Sequence, residues 1–358
     1  MNHKTNLRNA WWVALLLLAT IWILARHNQP APYQTDKGLV FGTIYQITYQ
    51  CDSSLKADIE AELARFDGSL SPFNDTSTIS RINRGEDIIP DTLFLNAFRR
   101  SMEVSEQTDG AFDITVAQLV NAWGFGFKQG AFPDSAMIDS LLQFTGYRKV
   151  SLSPQGKVIK QDPRTMFTCS AIAKGYAVDI IAQLLSSKGV KNYMVDIGGE
   201  VVVKGMNPKD TPWRIGINKP VDDSLATNQE LQEILQITDA GIATSGNYRN
   251  FYYKGGKKYA HTVDPRTGYP IQHSILSATV IARDCMSADA YATAFMVMGL
   301  DKAKEFTARH PELDAGNVHA IVQEEIGHVF AQVLEDAGVY KRDEAGRAGF
   351  VRFLESVK

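Results

Sequence analysis

Asp289 and Thr293 stand four residues apart in S-A-D-A-Y-A-T-A, at the start of a stretch that reads as helix. Both oxygens then fall on one helix face, near enough to share a cation. Magnesium suits such a pair, because it takes few protein oxygens and completes its octahedron with water and phosphate oxygens. Each residue alone also has a structural reading, the Asp as a first-turn carboxylate and the Thr as a hydroxyl bonded back along its helix. Lys174, in A-I-A-K-G-Y, falls in the first turn of another expected helix. There the free N–H groups and the positive helix end attract anions, so the lysine either neutralises a pyrophosphate or lies along the surface with its stem packed. His261 belongs to the run 243–271, where two short aromatic strands are expected to meet at Gly255-Gly256. The turns at Asp264-Pro265 and Thr267-Gly268 would hold it at a strand end, as a proton carrier or as a solvated or core histidine. Gly198-Gly199 leaves room for a ligand's phosphate to pass, although a plain turn explains the pair as well.

These three blocks, in this order, resemble the ApbE family of FAD:protein FMN transferases, from about Gly38 to about Gly299. The resemblance implies an enzyme that cleaves the pyrophosphate of FAD, joins FMN through a phosphoester to a threonine or serine of an acceptor flavin-carrying redox protein, and releases AMP. It implies magnesium ligands at Ala171 (through its carbonyl), Asp289 and Thr293, and a flavin-nucleotide contact at Lys174. It further implies an FAD site that includes Phe41, Phe73, Ala111, Phe112, Asp113, Thr168 and Leu276, and a catalytic group of His261, Asp289 and Lys174, with His261 taking the proton of the acceptor hydroxyl. Phosphoryl transfer needs a cation to spread developing charge, an in-line nucleophile and a nearby base, and these residue types match that need. The sequence departs from the family pattern in three places. In D-x-S/G-x-I-A-K-G the Asp is replaced by Thr168, and in S-x-Y-x-x-x-S-E the aromatic is Phe73 and the acidic residue is Thr78. A ring face survives at Phe73 without its hydroxyl. Two other activities stay open on the same fold: an FAD pyrophosphatase, with water replacing the acceptor, and an FAD-binding module without turnover.

The elements that must position these residues are interspersed strands and helices without a regular βαβ beat, which predicts an α+β fold. Such relatives carry mixed sheets with packed helices and an FAD and magnesium cleft between lobes. A first strand is expected over Leu39–Tyr49, with Gly42 allowing close backbone approach. Helices are expected near Leu55–Phe66, Thr92–Ser105, Asp134–Phe144, Ile172–Ser187 and from Ser287 onward, with strands between them. Gly124-Phe125-Gly126-Phe127-Lys128-Gln129-Gly130 has the third glycine one place late and no strand before it, so it is not a dinucleotide fingerprint.

Lys+Arg 37 against Asp+Glu 40 leaves a net charge of −3, and no excess of positive charge points to nucleic acid. An apolar run from Ala10 to Ala25 follows Lys4 and Arg8 and ends at Arg26-His27. The basic flank predicts a cytoplasmic N-terminus, followed by an uncleaved anchor or a signal segment cut after Ala25. On this reading residues 1–34 form the stub, anchor and linker. Residues 35–358 form a catalytic domain on the periplasmic or extracytoplasmic side of the inner membrane. The three cysteines, Cys51, Cys169 and Cys285, form no C-x-x-C pair, and they read as buried thiols unless Cys169 and Cys285 approach one another.

Overall fold

The computed structural model describes residues 11–12, 14–18, 20, 30–126, 132–220, 231–248, 250–272, 275–309, 319–324, 330–333 and 340–342. The chain opens with a hairpin, β1 (Tyr33–Val40) and β2 (Thr43–Gln50). The expected single strand is therefore two, because Phe41 (φ 50°) and Gly42 (φ 72°) both take left-handed backbone and reverse the chain in two residues. A Phe-Gly pair hides that turn, since asparagine or aspartate is the usual first residue at positive φ. Gly42 serves conformation rather than close approach, as a Cβ there would meet nothing within 4 Å.

Helices α1 (Lys56–Leu70), α2 (Thr78–Asn83), α3 (Thr92–Gln107), α4 (Ala117–Ala122) and α5 (Ser135–Leu142) follow, then a small hairpin of β3 (Val150–Leu152) and β4 (Val158–Lys160). Asp91 and Asp134 cap α3 and α5 by accepting from Phe94 N and Met137 N. Helix α6 (Ala173–Ser187) leads to β5 (Tyr193–Ile197) and β6 (Glu200–Lys204), which turn at Gly198 and Gly199, both at positive φ. Then come β7 (Trp213–Asn218), β8 (Leu231–Ile237), β9 (Ala240–Gly246), β10 (Phe251–Lys254), β11 (Lys257–Ala260) and β12 (Ile275–Ala282). Helices α7 (Cys285–Met298) and α8 (Leu300–Arg309) precede β13 (His319–Glu324), β14 (Phe330–Val333) and β15 (Tyr340–Arg342).

The main sheet has the order β1-β2-β5-β6-β9-β12-β13-β14, and each of its neighbouring pairs runs antiparallel. That pattern is α+β, with helices gathered on one face instead of threaded between parallel strands. Alternation along the strands sorts the side chains. Tyr193, Val195, Ile197 and Val202 join α1, α3, α6 and α7 in the large core. Val201, Val203, Ile242 and Ile281 face the other way, onto Trp213, Ile215, Ile217, Leu235 and Ile237 of the three-stranded sheet β15-β8-β7. Glu200 shares the register of Val202, so a carboxylate stands on the helix-bearing face.

Two glycines bring α7 close. A Cβ on Gly175 would lie 2.3 Å from the Cys285 carbonyl oxygen and 2.7 Å from Asp289 Cβ, and one on Gly241 would lie 2.4 Å from Cys285 N. Burying α7 this tightly suits its sequence, in which every residue from Ser287 to Ala292 is buried. Asp284 caps it by accepting from Ser287 N, so the first-turn role expected of Asp289 belongs to Asp284 and Asp289 falls a turn later. All three cysteines are free thiols; Cys285 donates to the Ile242 carbonyl at 3.1 Å, and burial pushes the Cys169 thiol up to about 12.

Half of the apolar run Ala10–Ala25 lies outside the described residues. Among the described residues no helix is long and apolar enough to cross a membrane.

Candidate active site

A cavity of about 420 Å³ opens where the N-terminal turns of α6 and α7 meet the β9 end and the chain after β11. Its size falls within the roughly 300–1,000 Å³ usual for small-molecule sites. Ala111, Phe112, Asp113, Thr168, Ala171, Lys174, His261, Asp289 and Thr293 all line it, so residues spread over 180 positions of sequence converge on one space.

One wall carries charge. Lys174, one residue into α6, reaches Glu200 Oε1 at 2.5 Å. Glu200 is 3% exposed and Asp289 4%. Burial raises both carboxyls above their ordinary values, with Lys174 pulling each back. For Lys174 burial opposes the charge, but Glu200 and Asp289 outweigh it and hold the ammonium above the usual lysine value. Asp289 Oδ2 accepts from Gly175 N at 3.0 Å. Gly175 lies in the first turn of α6, where a backbone N–H has no partner within its own helix, and Asp289 of α7 supplies one. Thr293, one turn beyond Asp289, shares a 3.0 Å hydrogen bond with Ser245 Oγ of β9. The cavity therefore offers a carboxylate, a hydroxyl and a backbone carbonyl, all hard oxygen donors. Among the described residues no group of three or more His, Cys, Asp or Glu could hold a metal ion.

The facing wall is neutral. The β10–β11 hairpin turns at Gly255-Gly256 as expected, and the His261 backbone N–H donates to the Asn250 carbonyl at 3.1 Å, extending the ladder to the cavity edge. Behind it Trp123, Tyr259, Tyr252 and Phe125 stack in series at 5.1–5.6 Å between ring centroids. Phe125 meets the His261 ring edge-on at 6.4 Å. Burial lowers the His261 pKa below the usual histidine value. A hydrogen bond to the Asn250 backbone opposes this, and the nearby Lys174 charge adds to it. The imidazole is thus neutral at physiological pH, the form that accepts a proton. Its Nδ1 is buried and has no hydrogen-bond partner among the described residues. Thr262, next along, donates to Asn247 at 2.7 Å.

At the third side, Asp113 accepts from Thr115 N and Oγ1 and from Tyr147 N, and burial still leaves its carboxyl raised. Thr168 donates its N–H to the Ile114 carbonyl at 2.8 Å and pairs its hydroxyl with Ser170 Oγ at 3.1 Å. Phe41, Phe73 and Leu276 are not among the lining residues. Phe41 packs on Phe66 at 5.6 Å between centroids, and Phe73 is 78% exposed in the loop between α1 and α2. The Leu276 carbonyl accepts from Asn247 N at 2.9 Å.

Sequence reading passed over Glu200, Ser245, Asn250, Thr262 and Phe125 as site residues. Glu200 left a signal, a charged residue in the apolar strand V-D-I-G-G-E-V-V-V at a position in register with core valines. Phe125 sat inside the glycine run that fails as a dinucleotide fingerprint, yet it forms the wall beside His261.

An antiparallel α+β scaffold thus brings a half-buried lysine in the first turn of α6, a buried carboxylate on β6, another on α7 and a neutral histidine to one small-molecule-sized cavity. The ApbE family profile matches residues 41–316, and this chain belongs to the ApbE family. It is 37% identical over 300 residues to the FAD:protein FMN transferase of Vibrio cholerae serotype O1, covering 80% of this chain and 88% of that one. It is 34% identical over 314 residues to that of Escherichia coli K12, covering 82% and 88%. Among solved structures it is similar to the flavin transferase ApbE from Vibrio cholerae, with a TM-score of 0.74 and 32% identity over 85% of this chain and 97% of that one. The apo flavinyl transferase ApbE of Pseudomonas stutzeri aligns with a TM-score of 0.74 and 28% identity, over 90% and 98%.

Proposed function

We propose that this protein transfers FMN from FAD to a threonine or serine hydroxyl of an acceptor flavoprotein and releases AMP. The carrying observation is that one cavity is lined by Ala171, Lys174, Asp289 and Thr293 together with a neutral His261. The cavity is read as the cleft that takes FAD and magnesium. In the reaction the acceptor oxygen attacks the phosphorus on the FMN side of the pyrophosphate. The bond from that phosphorus to the bridging oxygen breaks, and AMP leaves with the electron pair. His261 takes the hydroxyl proton, and Lys174, in the first turn of α6, offers its ammonium to the phosphate oxygens. Asp289, Thr293 and the Ala171 carbonyl would hold magnesium, which when bound neutralises charge building on the phosphate oxygens. The donor chemistry fits, since the buried Asp289 carboxyl is raised by burial alone and gains from a cation beside it. Phe73 is exposed in the loop between α1 and α2, and its ring face would stack on the part of FAD that extends beyond the cavity.

The test is incubation of the protein with FAD, magnesium and a flavin-carrier domain, followed by intact-mass measurement. The expected result is an acceptor heavier by FMN less water, with AMP released in equal amount and both suppressed by chelator. Free FMN with an unmodified acceptor would favour the pyrophosphatase, and bound FAD with no AMP would favour a binding module. Membrane attachment through the run Ala10–Ala25, with the catalytic domain on the extracytoplasmic side, belongs to the same proposal. Its check is protease digestion of intact and opened cells, and a domain protected until the inner membrane is broken would reject it.

A further inference from the structure

Glu200 is a buried carboxylate that uses half of its bonding capacity. Its Oε1 meets Lys174 Nζ at 2.5 Å, while its Oε2 is buried with no hydrogen-bond partner among the described residues. An ion pair kept for stability alone would satisfy both oxygens, because a carboxylate removed from water with an idle oxygen costs more than its attraction to one ammonium returns. Apolar replacement would be the cheaper choice at a position that shares its register with the core residue Val202. Local rules broken in this way collect at functional sites. The position is also supported from below. Gly198 and Gly199 turn the chain at positive φ immediately before it, and Glu200 is the first residue of β6. Its backbone is thus fixed by the central sheet, not by a loop. Lys174, by contrast, stands on a long flexible stem whose side chain is 35% exposed. Without a partner it would sample many rotamers and forfeit much of its value to a ligand.

We infer that Glu200 is a positioning residue for the flavin-nucleotide site: it fixes the Lys174 ammonium at the cavity wall and leaves the two other Nζ–H donors aimed at the phosphates. The inference rests on the FAD-binding reading of the cavity. It assigns Glu200 no contact with the substrate, so its whole effect passes through Lys174. One charge-assisted hydrogen bond lost to the nucleotide corresponds to about a tenfold or greater change in affinity.

The experiment is a double-mutant cycle on FAD affinity in the full chain, read by flavin fluorescence with magnesium present. The variants are Glu200→Gln, Lys174→Met and the pair together, with Glu200→Asp as the conservative replacement. Glu200→Gln is expected to raise the FAD Kd about tenfold and Glu200→Asp to restore part of the loss. In the Lys174→Met background Glu200→Gln is expected to change Kd less than about twofold, because the group it acts through is gone. Equal effects of Glu200→Gln in both backgrounds would overturn the inference, as would an unchanged Kd in the single variant. Thermal melting of each variant separates loss of fold from loss of affinity. Failure of the unsubstituted protein to bind FAD would remove the functional reading itself, and this inference with it.

Discussion

The two walls of the cavity are built by opposite means. The charged wall is a contact between two helix N-termini made possible by missing side chains, where Gly175 and Gly241 let α7 approach until Asp289 can accept an α6 backbone N–H. The neutral wall is a small hairpin backed by stacked aromatics that delivers one histidine at its base. The first is rigid and crowded with ionisable groups, and the second is uncharged where it faces them. In the proposed reaction the difference separates binding from proton transfer. That proposal puts anion and cation beside the first turn of α6 and its lysine, and the histidine is neutral because burial and the Lys174 charge disfavour a second positive charge.

Changes at the charged wall should therefore abolish both steps, and changes at the neutral wall should leave binding intact. The largest effect is expected from Asp289→Asn, which removes the one anionic magnesium donor of the proposed set. Transfer should fall by at least about 10³-fold, with magnesium-dependent FAD binding lost, as measured by product mass and flavin fluorescence. Full transfer by this variant would remove the metal assignment. His261→Ala should slow transfer by about 10²–10⁴-fold while FAD affinity stays within about twofold, so the comparison breaks if affinity falls as far as rate. The same histidine sets a pH profile. Its pKa is lowered, so the neutral base predominates above the ordinary histidine value, and protonation removes it only on the acid side. The rate at saturating FAD and acceptor should be flat from neutral pH upward and decline below about 6.5. An acid limb centred above that value would show that the cavity stabilises the imidazolium instead. Gly175→Ala should cost about 1–3 kcal/mol of stability in denaturant unfolding, because its methyl group collides with the Cys285 carbonyl and Asp289 Cβ. Magnesium affinity should fall with it as Asp289 is displaced, whereas a loss of stability without loss of metal affinity would separate packing from function. The smallest effect is expected at Phe125→Leu, which keeps an apolar contact but removes the ring edge beside His261. A change of about threefold or less in rate at unchanged FAD affinity would confine the aromatic stack to support.

Much of this was legible in the chain itself. The hairpin at Gly255-Gly256 announced itself by its glycines and aromatic strands, α6 and α7 by apolar spacing, and the α+β class by the irregular order of elements. That Lys174, His261, Asp289 and Thr293 line one cavity accords with an expectation drawn from turn chemistry, helix position and family pattern together. Less visible was the β1–β2 reversal, where Phe41 takes a conformation its residue type rarely adopts. The N-cap of α7 also went unread at Asp284, since a cap and a first-turn acid look alike in a string of letters.

Local sequence determined which residues could bind an ion, hold an anion or move a proton, because periodicity and turn preference act over a few residues. Tertiary structure alone decided that Glu200 of β6 would meet Lys174 of α6, that Asp289 would satisfy the first-turn Gly175 N–H, and that Phe125 would stand beside His261. Those pairings depend on the distance between elements far apart in the chain, which is set by what two packed surfaces leave room for, and a missing Cβ acquires its meaning only when the opposing atom is in place.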